Sequence, residues 1–399
     1  PRLYFTRWSR KNVGYCDTRR QQILRSATTK AQRFKPPQGR FSSEERLVHP
    51  LASWVLDQLP GNSFNLAQRP ETVNLSPTHK TQSGRRLMTA KLSRFIPMSF
   101  MGAPFTQSPK GSGAAILGIP FDCGTHPTRI GARQGPDAIR AESTLVRPYQ
   151  PPEFDFNPLE RLNVVDCGNV ACTPGEIEHS LEKIEEATSE LTQTGAVPAT
   201  MGGDGLVTLP QLRAVSKAHA DLVVIHIDAH TDTYPSTGSR TNDRYNTATT
   251  FTRAAEEQLI DTSQSYHIGA RGTVTIPGVF GHTQSQGYQL IDGDTLNLRG
   301  IADVLSELHD NLAGRPVYLC FDMDFFDPSC APGVCTPTFG GATAREGLSL
   351  ISGLKGLNIV AVDVNTVSPP HDIGGMTAFL AATVMLYSLA LVADSSDRP

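Results

Sequence analysis

The feature that most restricts the fold of this chain is a series of short apolar runs that alternate with amphipathic segments from about residue 113 onward. Runs that are apolar at consecutive positions indicate strands buried on both faces of a parallel sheet, and the alternation is typical of successive βαβ units. The predicted strands are 114–120, 162–166, 197–201, 222–228, 265–269, 316–322 and 357–363. The predicted helices are 176–194, 247–258, 295–311 and 344–353. The pattern therefore predicts an α/β fold.

Polar clusters follow four of the predicted strands. They are 202–205 (Gly-Gly-Asp-Gly), 228–232 (Asp-Ala-His-Thr-Asp), 322–324 (Asp-Met-Asp) and 363–366 (Asp-Val-Asn-Thr). Parallel sheets bind ligands in the crevice beyond the carboxyl ends of their strands. We therefore expect these four loops to converge on one edge of the sheet and to form the site.

Two of these clusters carry a metal-binding pattern. Asp228, His230 and Asp232 alternate at a strand end, so their side chains project to the same side, and Asp322 and Asp324 repeat the alternation. Any one Asp could be a loop former or a helix cap, but four converging carboxylates repel one another unless a cation neutralises them. Carboxylates with a single imidazole favour Mn²⁺ over Ni²⁺, Fe²⁺ or Zn²⁺. Two such ions activate water, so the pattern predicts a hydrolase.

Further motifs carry a family resemblance. They are 131–136 (Gly-Ala-Arg-Gln-Gly-Pro) with Ile139 and Arg140, 321–328 (Phe-Asp-Met-Asp-Phe-Phe-Asp-Pro), 331–333 (Ala-Pro-Gly) and 340–341 (Gly-Gly). With these motifs, the chain from about residue 113 to 395 resembles the ureohydrolases, the family of arginase, agmatinase and guanidinobutyrase. It looks most like agmatinase-like members with an N-terminal extension, among which guanidine hydrolases are found.

The resemblance implies a three-layer αβα architecture with an arginase-like, mainly parallel central sheet, and a homo-trimer or homo-hexamer. It also implies two divalent ions, Mn²⁺ or Ni²⁺, and hydrolysis of a guanidinium carbon to urea and an amine or ammonia. By position, Asp228 and Asp322 would bridge the two ions, and His230 and Asp324 would complete the first. Asp232 would bind the second ion and orient the attacking water.

Three positions depart from the family pattern. Gly205 stands where the family places a histidine ligand of the second ion, so we expect that ion to be held weakly or not at all. Thr247 replaces a histidine that contacts substrate or shuttles protons, and Thr366 replaces a glutamate that holds the guanidinium group. A hydroxyl accepts a hydrogen bond but supplies no charge. The two threonines therefore indicate a changed specificity, with guanidine itself as a leading substrate.

Histidines and cysteines near the predicted loops have weaker assignments. The histidines are His126, His226, His267 and His371. Each taken singly is more often structural, and His126 and His371 are the better candidates for catalytic residues that orient ligands. None of the seven cysteines forms a Cys-x-x-Cys pair, which argues against a disulfide scaffold in a chain of this size. Cys330 and Cys335 flank a Pro-Gly turn close to the acidic pair and are candidates to line the site.

The first part of the chain differs in composition from the rest. Residues 1–40 carry eleven Lys or Arg against one acid, Asp17, whereas the remaining residues sum to −13 from 25 basic and 38 acidic side chains. Residues 1–110 are broken repeatedly by Pro and Gly and are predicted to be a basic extension, which leaves 111–399 as the ureohydrolase domain. The acid-poor segment 1–40 has the composition of a mitochondrial transit segment or of a disordered extension. We therefore expect either a mitochondrial or a cytoplasmic protein.

The expected partners are a small guanidino compound, such as guanidine, agmatine or guanidinobutyrate, and further copies of the chain. We expect no nucleic-acid partner, because the basic patch does not continue beyond the start of the chain. We also expect no membrane span, because no uninterrupted apolar stretch approaches the roughly 20 residues that a span needs.

Three functional hypotheses remain open from the sequence. The first is a metal-dependent amidinohydrolase. The second is a non-catalytic ureohydrolase-like subunit that assembles with an active paralogue, which Gly205 supports. The third is a hydrolase that works with one ion, held by Asp228, His230, Asp322 and Asp324.

Overall fold

A computed structural model of the chain describes residues 98–124, 126, 128–235 and 244–395. Its strands are β1 (Ala114–Gly118), β2 (Val165–Asn169), β3 (Val197–Met201), β4 (Val223–Ile227), β5 (Tyr266–Ile268), β6 (Gln289–Ile291), β7 (Pro316–Asp322) and β8 (Asn358–Asn365). They form one sheet in the order β2-β1-β3-β8-β7-β4-β5-β6, and each neighbouring pair is parallel. The central strands are buried along their length, as the consecutive apolar residues predicted.

Helices cover both faces of the sheet. They are α1 (Gly135–Glu142), α2 (Pro158–Arg161), α3 (Ile177–Gln193), α4 (Thr208–Val215), α5 (Thr250–Glu256), α6 (Val279–Ser285), α7 (Gly293–Arg299), α8 (Ile301–Leu312), α9 (Ala344–Gly353) and α10 (Met376–Ser395). Side chains of α8, α9 and α10 share one apolar core with one face of the sheet, and those of α3, α4 and α5 share a second core with the opposite face. The three-layer αβα architecture with a parallel central sheet is therefore confirmed.

Most elements lie where the sequence predicted them, with informative differences. The predicted helix 295–311 is two helices, α7 and α8, because Gly300 between them adopts a φ of +79°. The segment 363–366 is not a free loop, because β8 continues through Asn365. The edge strand β6 was missed, since three residues carry too little periodicity to be recognised.

Helix α10 was also missed, and it corrects the expectation that no apolar stretch approaches the length of a membrane span. Its 20 residues are long and apolar enough to cross a membrane by length and composition alone. Thr377, Thr383 and Ser388 interrupt the apolar run in the sequence, and their hydroxyls bond to backbone groups of the fold. Within the structure, 72% of its most apolar window is buried against the rest of the fold. The helix is therefore accounted for as part of the core between β8, α1 and α9.

The predicted extension 1–110 falls largely on residues 1–97, which lie outside the described residues, as does the whole basic segment 1–40. The described end of that region packs on the domain. Phe100 is fully buried, and its backbone N–H donates to Asp166 Oδ2 at 2.9 Å. Arg140 Nε binds the same carboxylate oxygen at 2.9 Å. The arginine of the family motif thus fixes the segment at Phe100 to strand β2.

Candidate metal centre

Three predicted ligands meet at the carboxyl ends of the neighbouring strands β4 and β7. Asp228 directly follows β4, and Asp324 lies in a short 3-10 turn (Met323–Phe325) directly after β7. His230 Nδ1 lies 3.3 Å from Asp228 Oδ1 and 3.2 Å from Asp324 Oδ2. One ligand atom from each of the three residues lies within 4.8 Å of the others. These atoms can therefore surround a single ion. We call this group the histidine half of the site.

Backbone donors hold the carboxylates of the histidine half in place. The N–H of Ala229 donates to Asp324 Oδ1 at 3.1 Å, and the N–H of His230 donates to Asp228 Oδ1 at 2.7 Å. His230 Nε2 lies 3.3 Å from the hydroxyl of Thr338. A proton on Nε2 that bonds this hydroxyl leaves Nδ1 free to bind a metal. The local backbone thus prepares the three groups for one ion.

A pair of buried histidines lies behind Asp228. His226 Nε2 is 2.9 Å from Asp228 Oδ2, and His226 Nδ1 is 2.8 Å from Nδ1 of His267. Burial lowers the pKa of His267 well below its usual range. His267 is therefore neutral at pH 7, and the pair serves to hold one oxygen of Asp228.

The electrostatics of the histidine half favour protonated ligands when no ion is bound. Burial alone would lower the pKa of His230, but the charges of Asp324 and Asp228 outweigh it and raise that pKa well above its usual range. Burial, together with the charge of Asp228, raises the pKa of Asp324 to about 6. A protonated His230 thus neutralises the carboxylates, and a divalent ion would have to displace its proton.

The other side of the site is built around Gly205, and we call it the glycine half: Gly205, Asp232, Thr247, Asp322 and Thr366. Gly205 opens a short 3-10 turn (Gly205–Val207). A Cβ atom on Gly205 would lie 2.8 Å from Thr247 Cγ2 and 2.9 Å from Asp232 Oδ2. The Thr247 methyl therefore occupies the space that a larger residue at position 205 would need. Thr247 itself begins a 3-10 turn (Thr247–Thr249), and its hydroxyl lies 3.6 Å from Cys123 Sγ.

Thr366 contacts a predicted metal ligand directly. Its hydroxyl donates to Asp322 Oδ1 at 2.5 Å, in a fully buried position. Its φ is +63°, a left-handed conformation that costs a β-branched residue on the order of 1–3 kcal/mol and persists only where surrounding contacts impose it. The backbone N–H of Thr366 donates to Gly203 O at 2.7 Å and holds this conformation. One oxygen of Asp322 is thereby engaged by a hydroxyl.

Asp232 is held differently from the other acids. Its side chain is 4% exposed and its φ is +51°. Among the described residues no side chain or backbone group donates a hydrogen bond to its carboxylate. Burial and the charge of Asp228 raise its pKa well above the usual range, and burial with the charge of Asp324 does the same for Asp322. Burial therefore disfavours the ionised forms of both acids of the glycine half.

Both halves form the floor of one cavity of about 400 Å³. The predicted residues that line it are Asp228, His230, Asp232, Asp322, Asp324, Thr247, Thr366, His126 and Cys335. His126 Nδ1 accepts backbone N–H bonds from Thr128 and Arg129 at 3.3 and 3.1 Å. His371 and Cys330 are not among the lining residues in the part of the chain that the structure describes. Nδ1 of His371 instead lies 2.8 Å from the Ser368 hydroxyl.

Several lining residues carried no assignment in the sequence analysis. They are Asp122, Arg129, Asp204, Tyr234, Thr273, Thr275 and Thr336. Asp204 belongs to the Gly-Gly-Asp motif, and burial raises its pKa to about 6. Asp122 accepts from the N–H groups of Ala132 and Arg133 and fixes the glycine-rich loop. Arg129 donates to carbonyl groups of Pro332 and Val334 at the rim. Only Asp204 had a signal in the sequence, its place in a motif at a strand end.

Comparisons with known proteins identify the family. A family model described as the arginase family matches residues 112–390. The mitochondrial guanidino acid hydrolase of Homo sapiens is 35% identical over 291 residues, which are 73% of this chain and 81% of that protein. The mitochondrial agmatinase of Gallus gallus is 35% identical over 294 residues, 74% of this chain and 85% of that protein.

A solved structure gives the same result. The proclavaminate amidino hydrolase from Streptomyces clavuligerus is similar with a TM-score of 0.71 at 33% identity, covering 76% of this chain and 98% of that one. By these matches the chain is classed with the hydrolases that cleave C–N bonds of linear amidines. The chain therefore belongs to the arginase family.

Proposed function

We propose that this protein hydrolyses a small guanidino compound to urea and an amine, or to urea and ammonia when the substrate is guanidine. The observation that carries the proposal is the group Asp228, His230 and Asp324, whose ligand atoms face one another on the floor of the cavity. Water adds to the guanidinium carbon and the bond from that carbon to one nitrogen breaks. The leaving nitrogen takes both protons of the water and departs as an ammonium group, and the water oxygen becomes the carbonyl oxygen of neutral urea, so that charge and atoms balance.

The residues of the histidine half fit a divalent ion by donor type. Two carboxylates and one imidazole suit Mn²⁺, and Ni²⁺ is the alternative that the family resemblance adds. When bound, such an ion supplies Lewis-acid polarisation and makes water a nucleophile near neutral pH. The glycine half does not fit a second ion in the same way. Gly205 supplies no nitrogen ligand, and one oxygen of Asp322 already accepts a hydrogen bond from Thr366. The nitrogen that lies near Asp228 and Asp232 is Nε2 of His226, which already bonds Asp228 Oδ2 at 2.9 Å.

The chain's own groups account for substrate binding. A guanidinium cation is planar and carries N–H donors around its edge, and carboxylates bind such edges through short, charge-assisted hydrogen bonds. Asp232 offers a buried carboxylate without a partner among the described residues, and Thr247 offers a hydroxyl oxygen beside it. Arg129, which lines the same cavity, adds a positive charge that disfavours a long substrate with a second cationic end, such as agmatine. Guanidine or a short guanidino acid is therefore the preferred substrate.

A second candidate function has its own supporting observation. Thr366 adopts a left-handed φ of +63°, and the methyl of Thr247 lies where a side chain at position 205 would begin. The three residues that depart from the family pattern are thus closely packed and leave no place for the missing ligand. A non-catalytic subunit of a hetero-oligomer would have no need of a second ion. The two functions differ in whether the chain alone releases urea.

The test is urea release by purified full-length chain with Mn²⁺ or with Ni²⁺, across guanidine, agmatine, 4-guanidinobutyrate and arginine. We expect urea from guanidine or guanidinobutyrate and much less from agmatine. The matched control is Asp324→Asn, which keeps the shape of the side chain and removes one ligand charge. No urea from any of the four substrates with either metal would overturn the enzymatic proposal and favour the non-catalytic subunit.

Assembly and location are further proposals. We propose a homo-trimer or homo-hexamer, as the family resemblance implies, to be measured by light scattering coupled to size-exclusion chromatography. A monomer at micromolar concentration would contradict it.

We also propose a mitochondrial location, supported by the basic, acid-poor segment 1–40 and by the names of the human and chicken relatives. A fusion of residues 1–40 to a fluorescent protein tests this, and a diffuse cytoplasmic signal would contradict it.

A further inference from the structure

The carboxylate of Asp232 is the one acid of the cavity floor for which the described residues offer no hydrogen-bond donor. The other five acids that line the cavity each accept at least one hydrogen bond. Asp204, for example, accepts from the N–H groups of Cys123 and Leu206, and Asp322 accepts from Asp324 and Thr366. Asp232 is 4% exposed and lines the cavity. A buried carboxylate without a donor is costly, so a ligand is expected to supply one.

The position that the family resemblance gives to a second ion is badly suited to one in this chain. Gly205 provides no ligand atom, and Thr247 Cγ2 fills the neighbouring space. Asp322 Oδ1 is occupied by the Thr366 hydroxyl at 2.5 Å. Hard divalent ions require several oxygen or nitrogen ligands at short distances. The ligand atoms of His226, Asp228 and Asp232 lie within 4.8 Å of one another. However, both ring nitrogens of His226 are already engaged, Nε2 by Asp228 Oδ2 at 2.9 Å and Nδ1 by His267 at 2.8 Å.

An ion in the histidine half would leave one acid of the floor unsatisfied. It would engage Asp228 and Asp324, whereas Asp232 would still lack a hydrogen-bond donor among the described residues. A singly charged planar cation fits what remains, because it needs hydrogen-bond acceptors rather than coordination ligands. The carboxylate of Asp232 is an acceptor at this place, and Thr247 lines the same cavity, with its methyl group next to Gly205.

We propose that the glycine half is a guanidinium subsite, in which the substrate cation takes the place that a second metal ion would occupy. The proposal rests on the proposed function, since it names the group of the substrate that this half binds. In this proposal Asp232 binds the substrate rather than a metal ion. The departures from the family pattern at positions 205, 247 and 366 then serve a single purpose, which is to accommodate the guanidinium group. A guanidinium bound there lies directly beside the ion of the histidine half, where water is activated.

The experiment measures metal content and guanidinium binding on the same protein. Full-length chain loaded with Mn²⁺ is analysed for bound metal by mass spectrometry. It is then titrated with ¹³C-labelled guanidinium chloride, while the paramagnetic broadening of the carbon signal by Mn²⁺ is followed by NMR. The variants are Asp232→Asn, the pair Gly205→His with Thr247→Ser, and the exposed control Asp310→Asn.

We expect one Mn²⁺ per chain in the unmodified protein, with saturable broadening by guanidinium. Asp232→Asn should keep the Mn²⁺ and weaken guanidinium binding roughly tenfold to a hundredfold, the scale of a hydrogen bond to a charged group. Asp310→Asn should bind as the unmodified chain does. The pair Gly205→His with Thr247→Ser should gain Mn²⁺ and lose guanidinium binding.

Two results would overturn the proposal: two Mn²⁺ per chain in the unmodified protein, or equal guanidinium binding by Asp232→Asn. Should the double variant fail to fold, Asp232→Asn alone decides. Failure of the proposed function looks different, because it is the absence of urea and does not depend on where guanidinium binds. Guanidinium binding that requires Asp232 in a chain that releases no urea would support the subsite and reject the reaction.

Discussion

In the histidine half of the site every carboxylate oxygen of Asp228 and Asp324 faces a backbone N–H or a histidine ring, whereas in the glycine half Asp232 has no donor among the described residues. The first arrangement is that of an ion site whose ligands are fixed before the ion arrives. In the second, hydroxyls stand where the family places charged or ionisable side chains. The contrast is the basis of our proposals that the histidine half holds an ion and that the glycine half binds an organic cation.

The largest effect is expected from a substitution that removes a ligand of the histidine half. Asp228→Asn keeps the shape but removes the charge that His226 and His230 both contact. We expect loss of Mn²⁺ and a fall in the rate of urea release on the order of a hundredfold to ten-thousandfold, because Lewis-acid stabilisation is worth several kcal/mol. Metal analysis and the urea assay measure both. Retained Mn²⁺ in this variant would mean that the ion lies elsewhere.

The pH dependence of Mn²⁺ binding tests whether Asp324 and His230 of the histidine half are metal ligands. The pKa of Asp324 is raised to about 6 without metal, and that of His230 lies well above its usual range, so both hold protons that an ion must displace. As the pH falls below about 6, Mn²⁺ affinity should drop about tenfold per pH unit for each proton displaced. Titration with Mn²⁺ between pH 5 and 8 measures this. An affinity that does not change with pH would contradict the assignment of these ligands.

The free energy of unfolding of the metal-free protein should increase as the pH falls, whereas the affinity for Mn²⁺ should decrease. The folded-state pKa of Asp204 and of Asp324 lies above the value of an unfolded aspartate, so the folded state binds protons more tightly. Their contribution to the free energy of unfolding is then fully present below about pH 4 and is lost as the pH rises through about 6. Urea unfolding of metal-free protein at pH 5 and 7 separates this effect from metal binding. Greater stability at pH 7 than at pH 5 from these groups would contradict it.

Thr366→Val tests the hydroxyl that engages Asp322 in the glycine half. Valine keeps the β-branched shape at the same left-handed φ but removes the donor. The metal-free protein should lose about 1.5–3 kcal/mol of unfolding free energy, the usual size of a hydrogen bond to a charged group. The control is Thr144→Val, whose exposed hydroxyl bonds only Ala141 O. An unchanged unfolding free energy would show that this contact contributes little.

The smallest expected effect concerns the fit between positions 205 and 247. Gly205→Ala places a Cβ 2.8 Å from Thr247 Cγ2 and should destabilise the fold by about 1–3 kcal/mol. Thr247→Ser removes that methyl, so the combined variant should recover about 1 kcal/mol of the loss. A double-mutant cycle of unfolding free energies measures the coupling. Additive effects would mean that the two departures are independent.

Much of the fold could be read from local patterns. Strands β3 and β7 and helix α9 match their predicted bounds, because consecutive apolar residues and a Thr343–Glu346 capping box are signals within the element itself. The break at Gly300 and the short strand β6 could not be read, because a glycine's φ and an edge pairing depend on neighbours that are distant in sequence. Helix α10 was not predicted because its apolar residues lie on all sides of the helix, so the sequence lacks the periodicity of a half-exposed helix.

The parallel sheet and the family followed from the sequence alone, which also predicted five acidic and histidine metal ligands and a missing ligand at Gly205. Only the tertiary structure decided what replaced that ligand. Asp322 and Asn365 pair across β7 and β8, and this register brings the following residue, Thr366, onto the carboxylate of Asp322. Thr247 reaches Gly205 from a loop 42 residues further along the chain. Such contacts follow from strand register and loop packing, which act between residues that no local pattern connects.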